Sequence, residues 1–270
     1  MTEAVGLVAG NGQLPLLFAK AASRAGLRII AAAHKGETDP AINDCATATW
    51  VRIGQLGKIF ELFAAASVKR VVFAGGIRKV RFLGPGAVRP DARGVKLLAG
   101  LRRLGDDALL RAIADGFVRE GFSVEAPTAW LSDHFAKEGA IGARKLSAAQ
   151  SVDVEVGLRA ATQLGAADIG QTVVVRRGVV VAVEAIEGTD ACIRRGAALG
   201  GAGCVVVKRA KPKQDLRFDV PAVGAETLAV LREVKVAGLA VEAGRTILLD
   251  EAFAKLADRA KIAVVGVRIV

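Results

Sequence analysis

The chain has 270 residues, of which 52% are hydrophobic and only 4% aromatic, and its formal net charge at pH 7 is +11. This length suffices for one large domain or two modest ones with a substantial core. No apolar run reaches the ~18 residues of a membrane-spanning helix, and the N-terminus has no basic region followed by an apolar signal stretch, so a cytoplasmic protein is expected.

Charge and cysteine content restrict the partners further. The three cysteines, Cys45, Cys192 and Cys204, form no CxxC pair, which argues against a disulfide framework and against a cysteine zinc site. The positive charge favours an anionic ligand. No helix-turn-helix, zinc finger or aromatic stacking motif accompanies it, so a nucleic-acid partner is not expected.

The first half alternates strand and helix patterns. Strands are predicted at residues 4–9, 28–33, 49–53 and 70–74, and helices at residues 16–24 and 59–66. Repeated β-α-β spacing predicts right-handed crossovers and a Rossmann-like, mostly parallel sheet. A further helix is expected to begin at Asp106 or Asp107, either of which could cap its first turn, and a catalytic role for one of these two acids is the alternative.

Two of these strands end in glycine. Gly10-Asn11-Gly12 follows the first strand and Gly75-Gly76 follows the strand at residues 70–74. Both places lie at the carboxyl edge of the predicted sheet, where α/β proteins bind ligands, although simple turns would use the same residues. Pro15 replaces the third glycine of a dinucleotide fingerprint and His34-Lys35 stands where an acid would be expected, so NAD binding is disfavoured.

The regular pattern breaks near residues 127–141. We therefore predict an N-terminal nucleotide-binding domain over residues 1–133, a linker at 134–137 and a C-terminal domain over 138–270. The second domain is expected to be mixed α/β. Its predicted elements are helices at 152–164 and 227–236 and strands at 173–176, 179–183, 205–207 and 246–249, with a hairpin turn at Arg177-Gly178.

Two charged loops in the second half suggest a site that binds phosphate and a divalent metal. One is EAIEGTD at residues 184–190, and the other spans residues 207–224 and interleaves lysine and arginine with aspartate. Basic side chains hold phosphoryl oxygens and acids hold Mg²⁺ or Mn²⁺, whereas a solvated charged surface is the alternative. The absence of a Walker A sequence, a G-x-S-x-G elbow and tyrosine favours metal-assisted phosphoryl chemistry over acyl or hydride transfer.

Six segments in order carry a resemblance to a known family. They are GLVAGNGQLP, FAGGIRK, GDDALLR, DIGQTVVV, VEAIEGTDACIRR and KPKQDLRFDVPAVG. Together they resemble the LpxI family of UDP-2,3-diacylglucosamine pyrophosphatases over nearly the whole chain. The resemblance implies hydrolysis of UDP-2,3-diacylglucosamine to UMP and 2,3-diacylglucosamine 1-phosphate in lipid A synthesis of Gram-negative bacteria, with a divalent metal and with substrate between two domains.

Residue roles follow from this resemblance as hypotheses. The expected uridine or phosphate contacts are Gly10, Asn11, Gly12, Gly75 and Gly76, and the expected sugar–pyrophosphate contacts are Gln171, Gly188, Thr189, Lys208 and Lys213. The candidate metal ligands are Glu187, Asp190, Asp215 and Asp219, and the last three with Lys208 are the candidate catalytic residues. Glu184 is expected to form a buried pair with a basic neighbour, and the acyl chains to occupy an apolar groove of the second domain.

Position 225 raises a separate question. Ala225 lies at the predicted start of a helix, where a carboxylate would be favoured. If the family's catalytic acid belongs there, the chain is an inactive variant, with Glu226 as a substitute acid; an ordinary loop alanine is the alternative.

The sequence is also compatible with three other functions. A lipid- or nucleotide-binding protein without catalysis would bind ligand without metal-dependent turnover. An oxidoreductase would bind NAD, and an RNA-binding protein would lose affinity steeply with salt. A homodimer is the commonest symmetric assembly, and a lipidic substrate implies transient contact with the inner membrane surface.

Overall fold

The computed structural model describes residues 2–77, 89–99, 106–212, 215–217 and 220–269. The chain divides into two compact units. Unit 1 comprises Met1–Ser132 together with Asp215–Asp219, and unit 2 comprises Asp133–Gln214 and Val220–Val270. A short segment from late in the sequence therefore belongs to unit 1.

Unit 1 contains a parallel five-stranded sheet in the order β3-β2-β1-β4-β5. Its strands are β1 (Ala4–Ala9), β2 (Arg28–His34), β3 (Thr47–Val51), β4 (Arg70–Ala74) and β5 (Ser123–Glu125). The order reverses between β1 and β4, and ligands of such sheets bind at this switch point, beyond the carboxyl ends of the strands.

Helices lie between the strands of unit 1 along the chain. These segments form helices that pack on the sheet because their apolar residues recur at helical spacing. The helices are α1 (Leu14–Arg24), α2 (Leu56–Ala65), α3 (Ala92–Ala99) and α4 (Asp106–Arg119). On α1, Leu14, Phe18 and Ala22 are buried, four residues apart. On α2 and α4, Phe60 and Phe117 meet edge to face with ring centroids 4.8 Å apart.

Unit 2 contains a mixed six-stranded sheet in the order β6-β13-β11-β9-β7-β8. Strands β9 (Val205–Lys208), β11 (Gly238–Glu242) and β13 (Ala263–Val267) run parallel in its centre. Strands β6 (Gly139–Ile141) and β7 (Thr172–Arg176) flank them and run antiparallel to them, and β8 (Val179–Val183) lies at the edge, antiparallel to β7. A separate parallel pair consists of β10 (Ala222–Val223) and β12 (Ile247–Leu248).

The helices of unit 2 are α5 (Ala148–Ala166), α6 (Thr189–Gly200), α7 (Ala225–Glu233) and α8 (Phe253–Ala260). Glycine lets two of them approach the sheet closely. A Cβ atom added to Gly157 of α5 would overlap Val207, and one added to Gly196 of α6 would overlap Val174.

The predicted hairpin is present between β7 and β8. Arg177 and Gly178 have φ values of 51° and 76°, the left-handed conformation that two-residue hairpin turns require. The buried carboxylate of Asp153 accepts hydrogen bonds from both of their N–H groups, at 3.1 and 2.6 Å. The turn is thereby fixed to α5.

The predicted fold class is confirmed: a parallel Rossmann-like sheet is followed by a mixed α/β unit. Residues 134–137 belong to unit 2, in which Phe135 bridges to Ile247 and the Ala136 N–H donates to the Thr246 carbonyl at 2.9 Å. The linker at residues 134–137 stays a prediction. Within the described ranges, every helix is too short or too polar to cross a bilayer.

Candidate functional site

The two glycine pairs meet at the switch point of unit 1. The Gly10 N–H donates to the Ala74 carbonyl at 2.8 Å, and the Asn11 N–H donates to the Gly76 carbonyl at 2.7 Å. The first bond lies directly beyond the parallel pairing of β1 and β4, and the second belongs to an antiparallel bridge between Asn11 and Gly76. Gly12 follows them and is exposed at the start of α1.

Close approach explains the glycines at positions 10 and 75. A Cβ atom on Gly10 would overlap the Gly76 carbonyl oxygen, and one on Gly75 would overlap the Asn11 carbonyl oxygen. Gly12 differs, because its φ of 77° favours glycine while the space beside it is open. The first two therefore serve packing, and Gly12 leaves room at the edge.

A buried polar group follows β2, and sequence reasoning missed it. Glu37 and Thr38 lie in a turn whose N–H groups both donate to the His34 carbonyl at 3.0 Å. The Asn11 side chain donates from Nδ2 to Glu37 Oε2 at 3.0 Å. A dinucleotide fingerprint would place an acid at the end of the strand, where His34-Lys35 stands; Glu37 lies three residues after His34, in a turn that folds back towards β1.

His34 and Thr38 hold that turn against β1. Thr38 Oγ1 donates to the Ala9 carbonyl at 2.7 Å, and His34 Nδ1 lies 2.8 Å from the same oxygen. Because a carbonyl can only accept, Nδ1 carries the proton. Burial lowers the pKa of His34 below its ordinary value, against the opposing effects of the Ala9 carbonyl and Glu37. The imidazole is therefore neutral at pH 7.

In unit 2, strand register brings several predicted residues to one edge of the sheet. Thr172 pairs with Lys208, and Val173 pairs with Val183, which precedes Glu184. Glu184, Lys208 and Thr172 are all buried. Buried charges are costly without partners, so their contacts define what the cluster can do.

Thr189 connects the two charges. Its hydroxyl donates to Glu184 Oε1 at 2.9 Å and accepts from Lys208 Nζ at 3.3 Å. The hydroxyl of Thr172 lies 3.4 Å away. Glu184 and Lys208 thus share one hydrogen-bond partner, the hydroxyl of the first residue of α6, and a direct pair of Glu184 with a basic neighbour stays a prediction.

Gln171 and Gly188 border this cluster. The Gln171 N–H donates to Glu184 Oε2 at 3.4 Å, and the Gln171 carbonyl accepts from the Arg209 N–H at 2.9 Å. The side-chain oxygen of Gln171 is buried and has no hydrogen-bond partner among the described residues. Gly188 precedes α6 with a φ of 84°, and no side chain caps the helix.

A second buried carboxylate lies at the same edge and was not predicted. Glu242 ends β11 and accepts from the Ala210 N–H at 3.1 Å. Arg209 Nε and Arg245 Nη1 approach its two oxygens at 3.5 and 3.6 Å. Arg209 also contacts the Thr162 hydroxyl. Two arginines around one glutamate make this region electropositive, which suits an anionic ligand.

Of the predicted metal ligands that the structure describes, Glu187 and Asp190 lie in unit 2 and Asp215 lies in unit 1. Glu187 is ion-paired with Arg195, whose hydrogen bond is the main cause of its lowered pKa. Asp215 belongs to unit 1 and pairs with Arg217 at 2.6 Å, and that hydrogen bond likewise lowers its pKa. Asp190 is exposed in the first turn of α6.

Lys213 and Asp219 lie outside the described residues. Among the remainder, no three histidine, cysteine or acidic side chains are arranged to hold a metal ion. The described donors therefore do not fit a metal centre by themselves, and no chemical step is assigned to one.

Ala225 is exposed and begins α7. The carboxylate of Asp250 accepts a hydrogen bond from the Ala225 N–H at 2.8 Å. The carboxylate expected at this helix start is thus supplied by a residue 25 positions later.

These features define a class of α/β protein: a Rossmann-like unit with a glycine-lined switch point, joined to a mixed unit with a buried lysine–threonine–glutamate cluster. Residues 4–134 match the LpxI N-terminal domain, and residues 137–265 match the LpxI C-terminal domain. UDP-2,3-diacylglucosamine pyrophosphatase LpxI of Caulobacter vibrioides is 37% identical over 276 aligned residues, covering 97% of each chain. The chain belongs to the LpxI family.

Proposed function

We propose that the protein hydrolyses the pyrophosphate of UDP-2,3-diacylglucosamine. Water adds across one P–O bond and yields UMP and 2,3-diacylglucosamine 1-phosphate. The observation that carries this proposal is the full-length similarity to a relative named for this activity. The buried polar residues at the carboxyl edges of both sheets support it.

In unit 1, the uridine or its phosphate is proposed to bind at Gly10, Asn11, Gly12, Gly75 and Gly76. The N–H groups of Gly10 and Asn11 are already donated to carbonyl oxygens. The proposed contacts at these two residues therefore come from the surface that the close strand pairing creates and from the Asn11 side chain. Gly12 contributes the open space at the start of α1.

In unit 2, the sugar–pyrophosphate is proposed to contact Gln171, Gly188, Thr189, Lys208 and Lys213. The start of α6, where the N-cap residue is a glycine, presents the N–H groups of its first turn and the positive end of the helix dipole, which favour an anion. Lys208 adds a positive charge held in place by Thr189. Both would stabilise the negative charge that develops as the P–O bond breaks.

Metal dependence rests on the family resemblance and on phosphoryl chemistry in general. We propose that Mg²⁺ or Mn²⁺ is required and that Asp190, Asp215 and Asp219 include its ligands or the residue that orients water. Glu187 is a weaker proposed ligand, because Arg195 already neutralises its carboxylate.

The lipid part of the substrate leads to two further proposals. The acyl chains would occupy an apolar groove of the second domain, and the protein would contact the inner membrane surface transiently while it takes up substrate.

We propose that the protein forms a homodimer, because twofold oligomers are the commonest symmetric assemblies.

The inactive-variant hypothesis has a direct test. Asp250 already places a carboxylate at the start of α7, so the helix does not need an acid at position 225. We propose that the chain is active as it stands. If Ala225 replaces a catalytic acid, the natural chain releases no UMP and Ala225→Asp restores turnover.

The main experiment measures UMP release from UDP-2,3-diacylglucosamine with Mg²⁺, with Mn²⁺ and with EDTA. Metal-dependent release supports the proposal, and Lys208→Met should then reduce kcat/KM by about a hundredfold, as for loss of one preorganised transition-state contact. Substrate that binds tightly without turnover, in both the natural chain and Ala225→Asp, would instead favour a non-catalytic binding protein.

A further inference from the structure

Glu242 lies at the carboxyl edge of the unit 2 sheet, next to the strand end that carries Lys208. Val241, the residue before it, pairs with Lys208 in the register of β11 and β9. Paired residues share a face of the sheet, and successive side chains of a strand point to opposite faces. Glu242 therefore lies on the face opposite to Lys208.

Contacts with the helices agree with this division. Lys208 reaches Thr189 of α6 on one face. Arg209, the next residue, contacts Thr162 of α5 on the other face, and its Nε lies 3.5 Å from Glu242 Oε2. The proposed phosphate contacts at Lys208 and Thr189 thus lie on the α6 face, whereas Glu242 belongs to the α5 face.

The carboxylate of Glu242 holds the chain directly after β9. Ala210 is buried beyond the end of that strand, so its N–H needs an acceptor, and Glu242 Oε2 accepts it at 3.1 Å. On the other side, the Arg209 N–H donates to the carbonyl of Gln171, which directly precedes β7, at 2.9 Å. The two residues that follow Lys208 are therefore fixed from both neighbouring strands.

The negative charge of Glu242 strengthens this hold. Glu242 is only 4% exposed, and a buried carboxylate is costly unless opposite charges lie near it. Arg209 Nε and Arg245 Nη1 lie 3.5 and 3.6 Å from its two oxygens. Hydrogen bonds to an ionised group are stronger than those between neutral groups. The carboxylate therefore holds the Ala210 N–H more firmly than a neutral amide would.

We propose that Glu242 is a positioning residue for Lys208. It fixes the backbone after β9 from one face of the sheet and so fixes where the Lys208 ammonium group lies on the other face, beside Thr189. The inference rests on the proposed function for the role of Lys208 in hydrolysis. It adds that a residue on the face away from the proposed phosphate contacts affects the reaction, and that it does so through Lys208.

A double-mutant cycle with the full-length protein tests the route of the effect, with kcat/KM for UMP release as the measurement. Glu242→Gln should lower kcat/KM about tenfold in the natural chain, because displacement of a catalytic group slows the reaction. In a Lys208→Met background it should lower kcat/KM less than about twofold, because effects that act through one residue are not additive.

Glu233→Gln is the matched control. It also replaces an acid that is paired with an arginine, since Glu233 Oε2 lies 2.9 Å from Arg194 Nη2, but both side chains are exposed. This variant should leave kcat/KM unchanged in the natural chain and in the Lys208→Met background.

Hydrogen exchange followed by mass spectrometry tests the position of the segment without turnover. In Glu242→Gln, the amides of residues 205–212 should exchange about tenfold faster than in the natural chain, because the hold on the Ala210 N–H is weaker. The rest of unit 2 should keep its exchange rates, and Glu233→Gln should leave residues 205–212 unchanged.

An equal loss of kcat/KM from Glu242→Gln in both backgrounds overturns the proposal, because the effect then bypasses Lys208. Unchanged exchange at residues 205–212 also overturns it, as does faster exchange throughout unit 2, which indicates a general loss of stability. A natural chain that releases no UMP counts against the proposed hydrolysis, and the exchange measurement then decides by itself whether Glu242 fixes this segment.

Discussion

The hydroxyl of Thr189 donates to the carboxylate of Glu184 at 2.9 Å while it accepts from Lys208 Nζ. This single group satisfies two buried charges of opposite sign, and it also begins α6. The positions of the Lys208 ammonium group and the Glu184 carboxylate are therefore coupled through one hydroxyl.

Replacement of Thr189 by valine keeps the shape of the side chain but removes this hydroxyl. We expect Thr189→Val to lower the free energy of unfolding by about 1–3 kcal/mol, the cost of a buried polar group that loses its partner. Release of UMP should fall more than about tenfold, equivalent to ~1.4 kcal/mol of transition-state stabilisation. Denaturant unfolding and steady-state kinetics measure the two effects.

Serine at the same position is the matched control. Thr189→Ser retains the hydroxyl and should keep most of the activity, with a smaller loss of stability from the missing methyl group. If valine and serine reduce activity equally, the hydroxyl bridge has no part in the reaction.

The glycines at positions 10 and 12 should respond differently to alanine. Gly10→Ala places a Cβ atom against the Gly76 carbonyl and should cost roughly 1–3 kcal/mol or more, because backbone must move. Gly12→Ala meets open space and should cost about 1 kcal/mol, from its left-handed φ alone. Thermal unfolding followed by circular dichroism compares the stabilities of the two variants. A greater loss of stability in Gly12→Ala than in Gly10→Ala would refute the close contact between Gly10 and Gly76.

We expect the free energy of unfolding to depend on pH because His34 is buried. Burial lowers the pKa of His34 from its ordinary 6.5, so the unfolded chain takes up a proton at a higher pH than the folded chain. The contribution to stability is therefore complete above pH 6.5 and is lost as the pH falls through the folded pKa.

Urea unfolding at pH 7 and at pH 5.5 tests this effect. His34→Asn offers an amide that can donate to the same Ala9 carbonyl but does not titrate in this range. The decrease in stability between the two pH values should be smaller in His34→Asn. An identical decrease in both proteins would assign the pH dependence to other groups.

The three cysteines should differ in reactivity. Cys192 and Cys204 are buried, and burial raises the pKa of the Cys192 thiol to about 12. Cys45 is partly exposed. Alkylation with iodoacetamide at pH 8 should modify Cys45 first and reach the other two only on unfolding. Mass spectrometry identifies the order, and early modification of Cys192 would contradict the packing of α6.

Several strands and helices of unit 1 could be predicted from the sequence because the patterns that specify them are local. The strand at Arg70–Ala74 was predicted with its observed bounds, and the helix predicted from residue 16 begins at Leu14. Hydrophobic runs, a helix-starting proline and strand-ending glycines each act within a few residues.

Helix α6 and strand β11 of unit 2 were not predicted from the sequence, and each omission has a physical reason. Helix α6 begins at Thr189 in a stretch rich in glycine, which disfavours helices in isolation. Gly196 is tolerated there because it brings the helix against Val174 of β7. Strand β11 is buried along its whole length, so it shows no alternation between apolar and polar residues.

The sequence by itself determined the fold class, the carboxyl-edge placement of the glycines and the family resemblance, because periodicity and contiguous motifs can be read along the chain. Only the tertiary structure decided which polar groups meet. Asn11 reaches Glu37 across 26 positions, and Lys208 reaches Thr189 across 19. Such contacts depend on strand order and register, which arise from burial of whole sheet faces and are not a property of any local segment.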